Sequence, residues 1–176
     1  MDEVAPARPE RLIVAAQLLA DSTPEFFETK GPGVGDRATA AFLRRLQDCA
    51  TRLFHADYSE KSACGSTALR FDFYFPEERA AVEFAFGLHN PNSEFERDVF
   101  KCLLASEDGC PVHKLFLVGK PGALQRLGAP APQAIIGFVR KRFGLEFEIV
   151  ELQRQGAGAA AARKTPPPAH AANHSF

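Results

Sequence analysis

Two carboxylates on a predicted β-hairpin are the residues whose types and spacing best suit chemistry. Residues 69–75 and 82–86 alternate between apolar and polar side chains, which is typical of half-buried strands. If residues 76–79 form the connecting turn, Asp72 lies directly opposite Glu83, with the two Cβ atoms about 5 Å apart. Like charges at that separation repel each other, so water solvates the pair, one carboxylate holds a proton, or a cation bridges them. The hard oxygen ligands favour Mg²⁺ or Mn²⁺ as that cation. The alternative is a solvated strand surface near Arg70.

Helices and further strands are predicted on both sides of this hairpin. Apolar residues at helical spacing predict a long helix over 37–54, with Asp36 as its N-cap. Ser93-Glu-Phe-Glu96 has the spacing of a capping box at the start of a second helix. The remaining predicted elements are helices at 11–20 and 133–143, a short helix from Ser22, and strands at 58–63, 113–118 and 145–152.

Composition and charge restrict the class of protein. The chain has 176 residues, 45% of them hydrophobic and 24% charged, and a net charge of −1. These values predict one folded domain over 1–152, which the mixture of helices and strands makes an α/β domain, and they exclude a generic polybasic nucleic-acid binder. Residues 153–176 hold three basic and no acidic groups in an Ala/Gly/Pro-rich stretch, which predicts a disordered basic tail and leaves −4 on the body.

The lengths of the apolar runs and the charge of the first residues predict a cytoplasmic protein. No apolar run approaches the roughly 18 residues that span a bilayer, so no membrane association is expected. The first residues are acidic, where a signal peptide would be basic. The four cysteines are accordingly expected to be reduced thiols.

The order of elements resembles the PD-(D/E)XK nuclease superfamily, which includes restriction endonucleases. Its members share a helix, a three-stranded antiparallel meander, a helix and a strand, and residues 37–120 match that order. Asp72 and Glu83 match the acidic motif positions on the second and third strands. The resemblance implies a restriction-endonuclease-like core, with a mixed sheet flanked by helices. It also implies Mg²⁺-dependent hydrolysis of phosphodiester bonds in DNA.

Ala85 departs from the motif, because it stands where the family has a lysine. Arg70, on the second strand, and Lys61, on the first, are candidates to replace that lysine, and Lys101 on the following helix is a third. Glu60 is a candidate for the upstream acidic residue that some members use, as is Asp57. If no basic residue reaches the site, the chain is a catalytically degenerate nuclease-fold module that binds nucleic acid or a protein partner. A further alternative is an interaction domain in which the two carboxylates are merely exposed.

Contacts to the DNA backbone need basic residues elsewhere in an acidic body. The densest group is Arg140, Lys141 and Arg142, at the end of a predicted helix. The alternative for this group is a solvated helix C-terminus, which the helix dipole favours. The resemblance also makes a homodimer a possible assembly, although no dimer surface is identifiable from the sequence.

Overall fold

The computed structural model describes residues 6–23, 25–28, 34–65, 67–86, 91–154 and 163–164. The helices of this part of the chain are α1 (Arg8–Asp21), α2 (Glu25–Glu28), α3 (Val34–Phe54), α4 (Pro91–Glu107), α5 (Ala123–Leu127) and α6 (Pro130–Phe143). The strands are β1 (Ser59–Ser62), β2 (Arg70–Phe75), β3 (Ala80–Ala85), β4 (Lys114–Gly119) and β5 (Glu146–Glu151), with a two-residue segment β6 (Arg163–Lys164).

The strands form one mixed sheet in which their spatial order is their order along the chain. β1, β2 and β3 form an antiparallel meander, and β3, β4 and β5 run parallel to one another. Helix α4 connects β3 to β4, and α5 and α6 connect β4 to β5. These long crossovers are what parallel neighbours require. The prediction of an α/β fold with a mixed sheet flanked by helices is confirmed.

Both faces of the sheet are covered by helices, which gives the domain two apolar clusters. Helices α1, α2 and α3 pack on one face, with Leu12, Phe42 and Leu46 among their buried residues. Helices α4, α5 and α6 pack on the other face, with Val99 and Ile136 among theirs. The central strands are therefore buried on both sides, as is typical of parallel strands.

The predicted elements are present, and their limits differ at helix starts. Helix α3 begins at Val34, so Asp36 lies within its first turn and is not the N-cap. Helix α4 begins at Pro91, so Ser93 is not an N-cap either. Helix α6 begins at Pro130, because proline suits the first turn of a helix. The sequence pattern missed α5, a short helix after the Gly122 turn.

The alternation over residues 69–75 predicts that Phe71, Phe73 and Phe75 share one face of the sheet, and this is wrong at Phe71. Phe73 and Phe75 pack with the α1–α3 cluster, whereas Phe71 packs with the α4–α6 cluster and stacks on Tyr74 at 5.6 Å between ring centroids. The ladder between β2 and β3 has the predicted register at three pairs and extends from Phe75 only as far as Phe73. Beyond that point the two strands separate, and the alternation of faces is interrupted at Asp72.

The chain still packs against the domain at the start of the predicted tail. Gln153 exchanges hydrogen bonds of 2.9 Å with Gln17, and Arg154 forms an ion pair with Glu28 at 3.2 Å. The contacts of the chain with the domain therefore extend past residue 152. Segment β6 pairs antiparallel with β5, and the rest of the predicted tail lies outside the described residues. Within the described ranges, every helix is too short or too polar to cross a membrane.

Candidate functional site

A pocket of about 280 Å³ opens at the edge of the sheet where β3 ends and β2 begins. It lies between the two helical layers, with α3 on one side and α4 on the other. Its lining residues are Leu43, Glu60, Ala68, Leu69, Arg70, Asp72, Glu83, Phe84, Ala85, Glu94, Arg97, Asp98 and Lys101. Both carboxylates predicted from the hairpin therefore line one pocket.

A lysine from α4 forms the centre of the buried charge cluster in this pocket. Lys101 Nζ donates a hydrogen bond to Glu83 Oε1 at 2.5 Å and another to the Arg70 carbonyl oxygen at 3.0 Å. It also lies 2.9 Å from Asp98 Oδ1, within ion-pair distance. Lys101 and Glu83 are each 4% exposed, and Asp98 is 5% exposed. The alternative that the predicted carboxylates are merely exposed on a solvated strand is therefore wrong for Glu83.

Asp72 is held by the backbone of the neighbouring strand. Its Oδ2 accepts a hydrogen bond of 2.8 Å from the Phe84 N–H. The β2–β3 ladder ends at the Phe73–Val82 pair, so the predicted cross-strand pair of Asp72 with Glu83 does not form. The Asp72 side chain takes the place of a backbone acceptor for Phe84, and this contact fixes its carboxyl group within the pocket.

Burial controls the protonation of the three carboxyl groups. It raises the pKa of Asp72 to about 6, although the Phe84 N–H and Lys101 both lower it. Burial, followed by the Asp98 and Asp72 charges, raises the pKa of Glu83 well above its usual range despite the contact with Lys101. Burial also raises the pKa of Asp98.

Lys101 behaves differently, because the acidic groups outweigh its loss of solvation. Burial lowers the pKa of Lys101, but Glu83 and Asp98 raise it, and the net shift is upward. Lys101 therefore remains an ammonium ion at neutral pH. One ammonium beside the buried Glu83 and Asp98 and the half-buried Asp72 leaves an excess of negative charge within the cluster, which protons, the pocket arginines or a further cation can balance.

The other residues predicted around the hairpin divide into two groups. Arg70 and Glu60 line the pocket, although the Arg70 guanidinium donates to the Glu60 carbonyl oxygen at 2.9 Å rather than to a carboxylate of the cluster. Lys61 is exposed on β1 and does not line the pocket. Ala85 lines the pocket and is half-buried, so the motif position itself supplies no cation.

The predicted backbone-binding group lies at the opposite end of the sheet. Arg140, Lys141 and Arg142 end α6 just before Glu146, which pairs with Lys114 at the start of β4. The pocket lies towards the other ends of these parallel strands, beside Glu83 and Ala85. Arg140 also forms an ion pair with Glu146 at 2.9 Å. Asp57 lies outside the pocket, with its carboxylate accepting from Ser59.

Sequence reasoning missed the contribution of Asp98. It lies three residues before Lys101 on α4, on the side of the helix that also carries the buried Phe95 and Cys102. Charged residues within the apolar side of a helix are the signal that could have identified this cluster, because they are rarely buried without a partner.

The donor set suits a hard cation bound through two carboxylates. Across the described residues, no group of three or more His, Cys, Asp or Glu side chains is arranged to hold a metal ion. Mg²⁺ commonly takes only one or two protein carboxylates and keeps water or substrate oxygens as its other ligands. Asp98 Oδ1 is buried, and Lys101 Nζ is the charged group beside it, at 2.9 Å.

Comparisons with known proteins do not assign the chain to a family. No protein-family model, curated protein or solved structure matches it.

Proposed function

We propose that this protein is a metal-dependent nuclease of restriction-endonuclease-like type that hydrolyses phosphodiester bonds in DNA. The contact between Lys101 Nζ and Glu83 Oε1, in the pocket that Asp72 also lines, carries the proposal. Lys101, on α4, would replace the motif lysine that is absent at Ala85. Two carboxylates from neighbouring strands and a lysine beside them are the groups that the family motif brings together.

The arrangement of elements supports the assignment of the fold to the restriction-endonuclease-like type. The segment from α3 to β4 follows the order helix, antiparallel meander, helix, strand. Asp72 is on the second strand of the meander and Glu83 on the third. The acidic pair therefore occupies the two strands that the resemblance requires.

Asp72 and Glu83 are the residues that would hold Mg²⁺ or Mn²⁺. When bound, such an ion lowers the pKa of a coordinated water and offsets negative charge on a phosphodiester. Binding requires the ionised carboxylates, and their raised pKa values mean that protons compete with the metal. The proposed activity therefore rises with pH, and the ionisation of Asp72 contributes to that rise near pH 6.

Lys101 has the properties of an electrostatic stabiliser. Its raised pKa keeps it protonated, so it is a hydrogen-bond donor and does not abstract protons. A buried ammonium beside the reacting phosphate would stabilise the negative charge that develops on the phosphate oxygens. Its three N–H donors now face Glu83, the Arg70 carbonyl and Asp98, so it would have to release one of these oxygens to donate to a water molecule.

One observation favours the second candidate, a catalytically degenerate module that binds nucleic acid or a protein partner. The ion pair with Lys101 occupies Glu83 Oε1, and both side chains are almost fully buried. If this pair does not open to admit a metal, the fold retains a binding surface without hydrolysis.

A cleavage assay separates the two candidates. We expect the wild-type protein to cut plasmid DNA with Mg²⁺ or Mn²⁺ and to leave it intact with EDTA. Glu83→Gln removes a ligand charge with little change of shape and should abolish cutting. Glu96→Gln makes the same chemical change at an exposed position of α4 and should leave the rate unchanged. DNA that stays intact across the metal series, while still bound by the protein, would favour the degenerate module.

A further inference from the structure

The exposed face of α3 carries a row of arginines. Arg37, Arg44, Arg45 and Arg52 are all exposed on this helix. Between Arg37 and Arg52, where the side chains are described, Asp48 is the only exposed acidic residue. The opposite face is buried against the sheet through Phe42, Leu46 and Ala50. The exposed face therefore has a net positive charge in a protein whose overall net charge is −1.

This arginine face adjoins the pocket. Leu43 lines the pocket directly, and Gln47 Nε2 lies 3.5 Å from Glu60 Oε1 on the pocket wall. Arg44 follows Leu43, lies about 100° further around the helix and is exposed, so it is on the solvent side of this pocket residue. Two further exposed arginines, Arg70 and Arg97, line the pocket itself.

The charges of Arg44, Arg45 and Arg52 on α3 are available to a ligand. Arg44 has no hydrogen-bond or ion-pair partner among the described residues. Arg45 donates to the Thr23 hydroxyl at 2.9 Å, and Arg52 donates to the Cys49 sulfur at 3.4 Å. Both partners are uncharged, so neither guanidinium is neutralised by them.

The pocket cannot itself attract a phosphodiester by charge. Its lining has five carboxyl groups, from Glu60, Asp72, Glu83, Glu94 and Asp98, against three cationic groups. A polyanion reaching this pocket therefore needs attraction from outside it, since phosphate contacts supply most of the affinity of proteins for nucleic acids.

We propose that Arg44 and Arg52, with Arg45 between them, bind the phosphate backbone of the nucleic-acid strand that enters the pocket. The inference rests on the proposed nuclease function for its substrate. Arg44 and Arg52 are eight residues apart, or about 12 Å along the helix axis. That is about the rise of three to four nucleotides of one strand. The basic end of α6 lies at the far end of the sheet and does not contribute.

Salt-dependent binding of a labelled oligonucleotide tests this surface without requiring cleavage. The affinity of the full chain for a fluorescein-labelled DNA of mixed sequence, single-stranded and duplex, is measured by anisotropy over a KCl series in EDTA. Each lost phosphate contact reduces the slope of log K against log salt by about 0.9 for duplex and about 0.7 for a single strand. Arg44→Gln/Arg52→Gln should therefore lower the slope by about 1.4 to 1.8 and weaken binding at every salt concentration.

The double variant Lys141→Gln/Arg142→Gln is the matched comparison, because it removes the same charge from exposed positions of α6. It should bind with the wild-type slope. Equal losses in both variants, or an unchanged slope in the α3 variant, would overturn the inference. Polyglutamate displacing the DNA as effectively as unlabelled DNA does would overturn it as well, by indicating an acidic protein partner.

Binding and cleavage can fail separately. If the α3 variant loses DNA binding but the wild-type protein cuts no DNA with Mg²⁺ or Mn²⁺, the surface stands and the proposed nuclease function falls. If the wild-type protein cuts DNA and the α3 variant binds it normally, the function stands and the surface is wrong. Far-ultraviolet circular dichroism should be unchanged in both variants, since arginine and glutamine have similar helix propensities.

Discussion

Two opposing effects act on the ionisation of the Asp72 carboxyl group. Burial disfavours its carboxylate, whereas the hydrogen bond from the Phe84 N–H favours it, and burial prevails with a pKa of about 6. The carboxyl group is thus close to half-protonated at mildly acidic pH. If Asp72 holds a cation, as proposed, that cation binds in competition with protons.

The stability of the protein should therefore depend on the ionisation of Asp72. Its pKa is raised from 3.8 to about 6 by folding, so the folded state holds this proton more tightly than the unfolded chain does. The resulting stabilisation is complete below about pH 4 and is lost as the pH rises through 6, and it amounts to about 3 kcal/mol. Asp72→Asn should lack this loss, because the amide remains neutral and can still accept from Phe84.

Urea unfolding of both proteins between about pH 4 and pH 8 checks this prediction. The free energy of unfolding of the wild-type protein, relative to that of Asp72→Asn, should fall across the range. Asp48→Asn, an exposed change on α3, serves as the control and should track the wild-type curve. A difference between the wild-type protein and Asp72→Asn that does not vary with pH would contradict the raised pKa.

At the scale of elements, the site depends on how α4 packs across β2 and β3. Lys101 reaches one oxygen from each of three elements: Glu83 on β3, Asp98 on α4 and the Arg70 carbonyl on β2. Such a cluster tolerates the loss of one member poorly, because a buried charge is then left without compensation. The ion pair therefore fixes the position of α4 relative to the sheet.

A double-mutant cycle between α4 and β3 measures that coupling. Lys101→Met should destabilise the fold by about 3 to 5 kcal/mol, because Glu83 and Asp98 lose their cation. Adding Glu83→Gln to Lys101→Met should cost less than the sum of the two single changes, because one uncompensated acid is also removed. The measurement is the free energy of unfolding by urea for the four proteins. Additivity within about 0.5 kcal/mol would contradict a direct interaction.

At the scale of the whole molecule, local periodicity was sufficient to predict most of the fold. Residues 69–75 and 82–86 show a period of two, and their four-residue link sets the register at Phe75–Ala80. Alternation of this kind depends only on neighbouring residues of one strand, so it can be recognised without knowing the rest of the fold. The pattern assigned Phe71 to the wrong face. Both faces of the sheet are covered by helices, so an apolar side chain can be buried on either face.

The candidate site was only partly predictable, because its parts come from distant segments. Asp72 and Glu83 were identifiable from the hairpin register, and they line the same pocket. Lys101 was one of several candidate cations, because its approach depends on the rotation and tilt of α4, which a sequence pattern does not define. The α6 cluster was favoured on density of charge alone, and strand direction places it at the far end of the sheet.

The distribution of charge over the molecule is consistent with a bound polyanion. The pocket is acidic, while exposed arginines stand on α3 and at the pocket mouth. The net charge near zero is therefore the sum of an acidic pocket, which is the centre, and the exposed arginines around it, which are the border. A metal ion in the centre and phosphates along the border would balance both.

Moving the lysine from α4 to β3 tests most directly whether Lys101 is the missing motif cation. Ala85 lines the pocket and lies two residues after Glu83, so its side chain projects on the same side of β3. We expect Lys101→Met to reduce the rate of Mg²⁺-dependent DNA cleavage by about 100-fold or more. Ala85→Lys introduced into that variant should recover a substantial part of the rate, with folding verified by circular dichroism. Cleavage by Lys101→Met at the wild-type rate would contradict the assignment.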